Sequence, residues 1–234
     1  MLGRLRILTY HRVGPPRGRR YEKLTVPPRR FARQLELLVR LGYGVCDLDV
    51  VPRLAGEGRC EVRRPVVLTF DDGFGEVYDY VLPKVRERKL PVVVFAVADR
   101  RAADWTGWEG WGPPPLLSPG QLREMAAAGI TIGSHSRTHA SLTQCSPRQL
   151  DEEVAGSKKA LEDLLGAEVR HFCYPRGFYN EPVVAAVREA GYVTACTTER
   201  GAVRPGADLW RLPRLVVGKR MGFGRFLRRV LLAR

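Results

Sequence analysis

Short apolar runs alternate with amphipathic helical patterns along most of the chain. The apolar runs predict strands at Leu5–Tyr10, Val45–Leu48, Pro65–Phe70, Pro91–Val97, Ile130–Gly133, Val169–Cys173 and Tyr192–Thr197. Helical spacing of apolar residues predicts helices over 31–41, 76–89, 118–128, 146–165 and 181–190. This repeated alternation of strand and helix predicts a mostly parallel sheet with helices on its outside.

Polar residues follow several of the predicted strands directly. Asp71 and Asp72 come after 65–70, His135 after 130–133, and Tyr174 after 169–173. A (β/α) barrel gathers the carboxyl ends of different strands around one mouth, whereas an open sheet gathers them mainly at one switch point. The pattern therefore favours a barrel, formed by a single domain over 1–234.

The charge is strongly positive, with 39 Lys+Arg against 25 Asp+Glu in 234 residues and a net charge of +14. The excess lies at the two ends: 1–35 and 211–234 are rich in Lys and Arg, and the second range has no acidic residue. No zinc-finger, ribonucleoprotein or basic-zipper motif accompanies it, so we expect no nucleic-acid partner.

The sequence also predicts a compartment. Arg4 and Arg6 interrupt the apolar N-terminus where a signal peptide would need an apolar core, and no run approaches the ~20 apolar residues of a membrane span. We therefore expect a cytoplasmic chain. The five cysteines are scattered and form no C-x-x-C pair, which argues against a disulfide framework or a cysteine zinc site.

Two short segments carry candidate chemistry. Asp71 and Asp72 precede Gly73, and His135 and His139 supply half of the four histidines of the chain. Separately, these segments fit a tight turn and two surface histidines. Together, one Asp and two His can hold a divalent ion and leave positions open for water and substrate, while the other Asp accepts a proton. Zinc is the first candidate ion, with cobalt, nickel or manganese as alternatives.

Three motifs occur in order: Thr69-Phe-Asp-Asp-Gly73, His135-Ser-Arg-Thr-His139 and Phe172-Cys-Tyr-Pro-Arg-Gly177. They resemble the first three motifs of the polysaccharide deacetylases, carbohydrate esterase family 4, and the similarity extends over nearly the whole chain. The resemblance implies a distorted (β/α) barrel of about seven strands. It also implies that Asp72, His135 and His139 hold the metal, that Asp71 is the general base, and that the backbone amide of Arg176 donates to the oxyanion.

The chain departs from this family pattern at two positions. The late Leu-x-His motif that supplies the acid in many members has no histidine here, and Cys173 stands where many members have arginine. The opening Ile7-Leu-Thr-Tyr-His-Arg-Val13 resembles the branch of bacterial poly-N-acetylglucosamine deacetylases, which implies that His11 is the acid. Arg214, in a segment resembling the late motif of that branch, is either a partner that keeps Asp71 ionised or a surface arginine.

Aromatic residues are the expected substrate contacts. Trp105, Trp108 and Trp111 lie in a Gly/Pro-rich segment, where they suit either stacking on a sugar ring or packing of the loop. Tyr174 and Trp210, within or beside the motifs, complete the expected set.

The expected function is hydrolysis of N-acetyl groups on the amino sugars of a glycan, in a polymer or a lipid-linked form. The alternatives are an amide hydrolase acting on a non-carbohydrate substrate and a catalytically silent glycan-binding module. The basic, apolar segment from Phe223 predicts a helix that closes the barrel. A peripheral contact with anionic lipid is the functional alternative for this helix.

Overall fold

The computed structural model describes residues 4–15, 23–103, 115–219 and 221–232. Its strands are β1 (Arg6–Tyr10), β2 (Arg12–Val13), β3 (Thr25–Val26), β4 (Gly44–Val45), β5 (Pro65–Phe70), β6 (Val93–Ala96), β7 (Thr131–Ser134), β8 (His171–Cys173), β9 (Thr194–Arg200) and β10 (Leu212–Val216). Seven strands form a closed parallel barrel in the order β1-β10-β9-β8-β7-β6-β5, and pairing of β1 with β5 completes the ring. The predicted barrel is confirmed.

Helices connect the strands on the outside of the ring. They are α1 (Pro28–Arg40), α2 (Val51–Glu57), α3 (Leu82–Glu87), α4 (Pro119–Ala127), α5 (Pro147–Leu165), α6 (Glu181–Glu189) and α7 (Phe223–Leu232), with a π-helical turn, Val77–Val81, before α3. Ser118 and Ser146 each form a capping box, and a proline follows each as the first helical residue. These caps fix where α4 and α5 begin, because they satisfy backbone N–H groups that have no helical partner.

Strand alternation separates two layers of the core. Ile7, Val67 and Cys173 belong to the cluster inside the barrel, whereas Leu8, Leu68 and Phe172 pack between the barrel and its helices. All six residues of β5 are buried for this reason. A strand covered on both sides is apolar throughout, which explains the continuous run in the sequence.

The prediction omitted β2, β3 and α2, and it differs from the structure at two further segments. A strand was expected over Val45–Leu48, but β4 ends at Val45 and a 3₁₀ turn follows over Leu48–Val50. Asp47 caps this turn, because its side chain accepts a hydrogen bond from the backbone N–H of Asp49. The pattern did not reveal β10, because Pro213 and Arg214 interrupt its apolar residues.

The helix predicted near the C-terminus is present as α7. Phe226 and Val230 are fully buried, and the hydroxyl of Tyr43 donates to the carbonyl of Val230. Among the described residues, no helix combines the length and the apolar character that crossing a membrane requires.

Truncation after Gly218 should therefore unfold the protein or lower its melting temperature by at least about 10 °C. Loss of one large buried side chain lowers the free energy of unfolding by about 2–5 kcal/mol, and α7 contributes more than one such side chain. Thermal circular dichroism measures the effect, and a truncated chain that melts like the full chain would contradict it.

Candidate active site

The candidate residues meet at one end of the barrel. His11 follows β1, Asp71 and Asp72 follow β5, His135 follows β7, and Arg176 lies in the 3₁₀ turn after β8. Because all these strands are parallel, their carboxyl ends form one rim. His171 belongs elsewhere: it is the first residue of β8, with Nδ1 bonded to Thr194 Oγ1 at 2.9 Å.

Asp72, His135 and His139 form a compact donor set. Asp72 Oδ1 lies 3.3 Å from His135 Nε2 and 3.5 Å from His139 Nε2, and all three side chains are buried. Ligands about 2.0–2.1 Å from a tetrahedral zinc ion lie about 3.3–3.4 Å apart, which fits these separations. His135 Nδ1 lies 2.7 Å from the carbonyl of Cys173. As the donor in that bond, Nδ1 would leave the lone pair of Nε2 directed at the site.

The charge of this set favours a cation. Burial opposes ionisation of Asp72, but its contacts with the imidazoles of His135 and His139 outweigh that effect and hold the pKa of Asp72 well below its usual value. Burial likewise opposes protonation of His135, yet the neighbouring Asp72 and Asp71 raise the pKa of His135. Two carboxylates therefore concentrate negative charge where the imidazoles converge.

A wound loop, not a helix, brings the two histidines together. Ser136 and His139 have left-handed backbones, with φ of 63° at both, and Ser136 Oγ accepts from the backbone N–H of His139. Glu153 on α5 accepts from the backbone N–H and from the hydroxyl of Thr138. This buried carboxylate shapes the loop, and no feature of the sequence pointed to it.

Asp71 pairs with Arg214. The guanidinium donates to both carboxylate oxygens, at 2.8 and 2.7 Å, and both residues are buried. Burial opposes ionisation of Asp71, but the charge and hydrogen bonds of Arg214 outweigh it and lower its pKa. Cys173 Sγ lies 3.1 Å from the same guanidinium. The arginine that motif three lacks is thus replaced in space by one on β10.

His11 lies close to both carboxylates. Its charge helps to lower the pKa values of Asp71 and Asp72, after the larger effects already described. Its Nδ1 is buried and has no hydrogen-bond partner among the described residues.

Arg176 has a strained backbone. Its φ is 58°, and its side chain donates to Ser141 Oγ at 3.1 Å. Four of the six non-glycine residues with positive φ in the described chain lie at this site: Asp72, Ser136, His139 and Arg176. Such conformations cost energy and collect at functional sites.

Several predicted substrate contacts need correction. Tyr174 is 1% exposed, stacks on Tyr179, and donates its hydroxyl to the carbonyl of Trp210. The Trp210 indole donates to the carbonyl of Tyr192 and lies under Arg188 of α6. Both rings pack outside the barrel, away from its mouth. Trp105, Trp108 and Trp111 lie outside the described residues.

A second buried ion pair borders the site. Arg12, next to His11, donates to Glu76 Oε1 at 2.5 Å and to Thr25 Oγ1 at 3.1 Å. Glu76 follows the Asp71-Asp72 segment, so the pair ties the chain after β1 to the chain after β5. Nothing in the sequence indicated this contact across 64 positions.

Arg12→Met should destabilise the fold by about 3–5 kcal/mol, because it removes the buried charge that faces Glu76. Arg12→Met/Glu76→Met should recover most of that loss, since no unpaired charge remains. Urea unfolding measures both variants, and equal stabilities for the single and double variants would contradict the expectation.

The sequence profile of the polysaccharide deacetylase family matches residues 58–195, which is more than half of the chain. The chain belongs to this family. YxkH of Bacillus subtilis is 27% identical over 223 residues, which cover 95% of this chain and 75% of YxkH. Poly-beta-1,6-N-acetyl-D-glucosamine N-deacetylase of Staphylococcus epidermidis is 27% identical over 164 residues, 66% of this chain and 55% of that enzyme.

Solved structures share the barrel over its whole length. IcaB from Ammonifex degensii superposes with a TM-score of 0.81 at 26% identity, over 98% of this chain and 96% of IcaB. The deacetylase PplD of Streptococcus pyogenes superposes with a TM-score of 0.86 at 23% identity, over 98% and 99%. The similarity to PplD supports the assignment of the barrel fold.

Proposed function

We propose that this polysaccharide deacetylase is a metal-dependent hydrolase that removes N-acetyl groups from the amino sugars of a glycan. The observation that carries the proposal is the pairing of two units at one mouth: a three-ligand donor set and, beside it, a carboxylate kept ionised by a buried arginine. The similarity to an N-deacetylase of poly-β-1,6-N-acetyl-D-glucosamine supports an amino-sugar polymer as the substrate.

The metal would be held by Asp72, His135 and His139. A divalent ion there would supply Lewis-acid polarisation of the acetyl carbonyl and would lower the pKa of a coordinated water. Zinc fits a site with two imidazoles and one carboxylate, and cobalt, nickel or manganese are the alternatives.

The remaining steps belong to the protein. Asp71 accepts the proton of the attacking water, and Arg214 keeps Asp71 ionised for that purpose. The backbone N–H of Arg176 donates to the oxyanion of the tetrahedral intermediate, a contribution of about 2.7–4 kcal/mol when well aligned. His11 then protonates the amine as it leaves. The C–N bond breaks, and acetate and the free amino sugar are released.

Acetate release from a panel of N-acetylated glycans tests the proposal. The enzyme is assayed as purified, after chelation, and after addition of zinc, cobalt, nickel or manganese. We expect release that chelation abolishes and one metal restores. Binding of glycans without acetate release would instead indicate a silent module, and release only from non-carbohydrate amides would indicate a different substrate class.

A further inference from the structure

The outward side of α7 is unusually apolar for an exposed helix. Six large apolar side chains of the described chain are exposed, and three of them belong to α7: Phe223 at 55%, Leu231 at 39% and Leu232 at 68%. The other three lie on separate elements. Exposed apolar side chains gathered on one short helix indicate a surface that contacts something less polar than water.

Arginines share this side of the helix. Arg225, Arg228 and Leu232 follow one another at helical spacing, and Leu231 lies three residues after Arg228. All four are exposed, whereas Phe226 and Val230 face the barrel. We call the four exposed residues Arg225, Arg228, Leu231 and Leu232 the α7 outer face.

The C-terminal part of the sequence, which contains the α7 outer face, carries only positive charges. No acidic residue follows Asp208. Burial lowers the pKa of Arg229, and the charges of Arg200, Arg225 and Arg228 lower it further. A cavity of about 300 Å³ between the first turns of α1 and α7 is lined by further arginines: Arg29, Arg30 and Arg33.

We infer that the α7 outer face docks on the surface of a bilayer that contains anionic lipids. Such a surface matches both kinds of side chain in the α7 outer face. Headgroup phosphates pair with the two arginines, and the boundary of the acyl chains buries the two leucines. Nucleic acid would leave Leu231 and Leu232 in water. A second copy of a chain with net charge +14 would bring like charges together.

The location of α7 gives docking a consequence. Val216 ends β10 at the carboxyl rim, and α7 begins at Phe223 shortly after it, with Arg229 donating to the carbonyl of Val216. From this rim α7 runs toward the amino end of the barrel, where the hydroxyl of Tyr43, just before β4, donates to the carbonyl of Val230. Docking by α7 would therefore lay the flank of the barrel on the lipid surface.

Sedimentation of the full chain with vesicles tests the inference without relying on enzymatic activity. Vesicles of phosphatidylcholine alone are compared with vesicles that also contain phosphatidylglycerol, at about 0.1 M salt, where exposed charges remain only partly screened. We expect binding to the anionic vesicles only. Arg225→Glu/Arg228→Glu should weaken binding at least about 30-fold, since each arginine near an anionic surface contributes about a factor of five. Leu231→Ser/Leu232→Ser should weaken it as well.

The matched control is Arg86→Glu/Arg123→Glu, which changes the net charge equally on exposed positions of α3 and α4. This control should bind like the wild type, and thermal melts should show all variants folded, because every substituted side chain is exposed. The inference is overturned if the wild type ignores anionic vesicles or if the control loses binding equally. It is also overturned if the leucine variant binds normally, or if inorganic phosphate at modest concentration displaces the protein, which would indicate a site for free phosphate.

Discussion

Asp71→Asn should lose about 10²–10⁴-fold in kcat while retaining its metal. The amide cannot accept the proton of the attacking water, and loss of a general base typically costs this much. Asp72, His135 and His139 are unchanged in this variant, so the donor set for the ion is intact. Acetate release and elemental analysis on the same sample measure the two quantities.

The buried Arg214 complicates this substitution, because Asp71→Asn leaves its guanidinium facing a neutral amide. Unpaired buried charge costs about 3–5 kcal/mol, so a loss of activity could reflect unfolding. Asp71→Asn/Arg214→Met removes that charge and should regain stability but not rate. Asp151→Asn, at an exposed position on α5, is the matched control and should remain fully active. Near-wild-type activity in Asp71→Asn would show that Asp71 only shapes the turn.

The sequence predicted those parts of the protein that depend on local patterns. The apolar run Pro65–Phe70 became a strand buried on both sides, and Ser118 and Ser146 marked the starts of two helices. Each of these signals depends on a few neighbouring residues, so no knowledge of the fold was needed to interpret it.

Contacts between distant segments were not readable in this way. Arg214 meets Asp71 across 143 positions, and Glu153 on α5 holds the loop that carries His139. Both depend on how the barrel closes. The left-handed backbone at Arg176 is equally hidden, because arginine is not a residue type that favours a positive φ.

The error at Tyr174 has an identifiable cause. Cys173 faces the barrel interior, so the next residue, Tyr174, faces outward by strand alternation. The same rule places Arg214 inside, two residues after the interior Leu212. Strand alternation therefore excludes Tyr174 from the mouth and favours Arg214 as a buried partner of Asp71.

His135→Ala and His139→Ala should each abolish stoichiometric metal binding, where the wild type holds one divalent ion per chain. A mutated outer partner of a metal ligand typically costs 10–100-fold in affinity or activity, and removal of a ligand should cost more. Elemental analysis after reconstitution with zinc, together with acetate release, measures both effects. The ion should also stabilise the wild type, by about 4 kcal/mol at a thousandfold excess over its dissociation constant, and this gain should vanish in both variants.

His171→Gln supplies the discriminating control, because within the described part of the chain one other histidine is grouped with two carboxylates. His171 Nε2 lies 3.2 Å from Asp49 Oδ1 and 3.8 Å from Asp47 Oδ1. Arg170 Nη1 already forms an ion pair with Asp49 Oδ1 at 2.8 Å, and this positive charge disfavours a metal cation there. His171→Gln should therefore keep its metal and its activity. If the ion persists in His135→Ala but disappears in His171→Gln, the metal binds at Asp47 and Asp49, and the mechanism built on Asp72 is wrong.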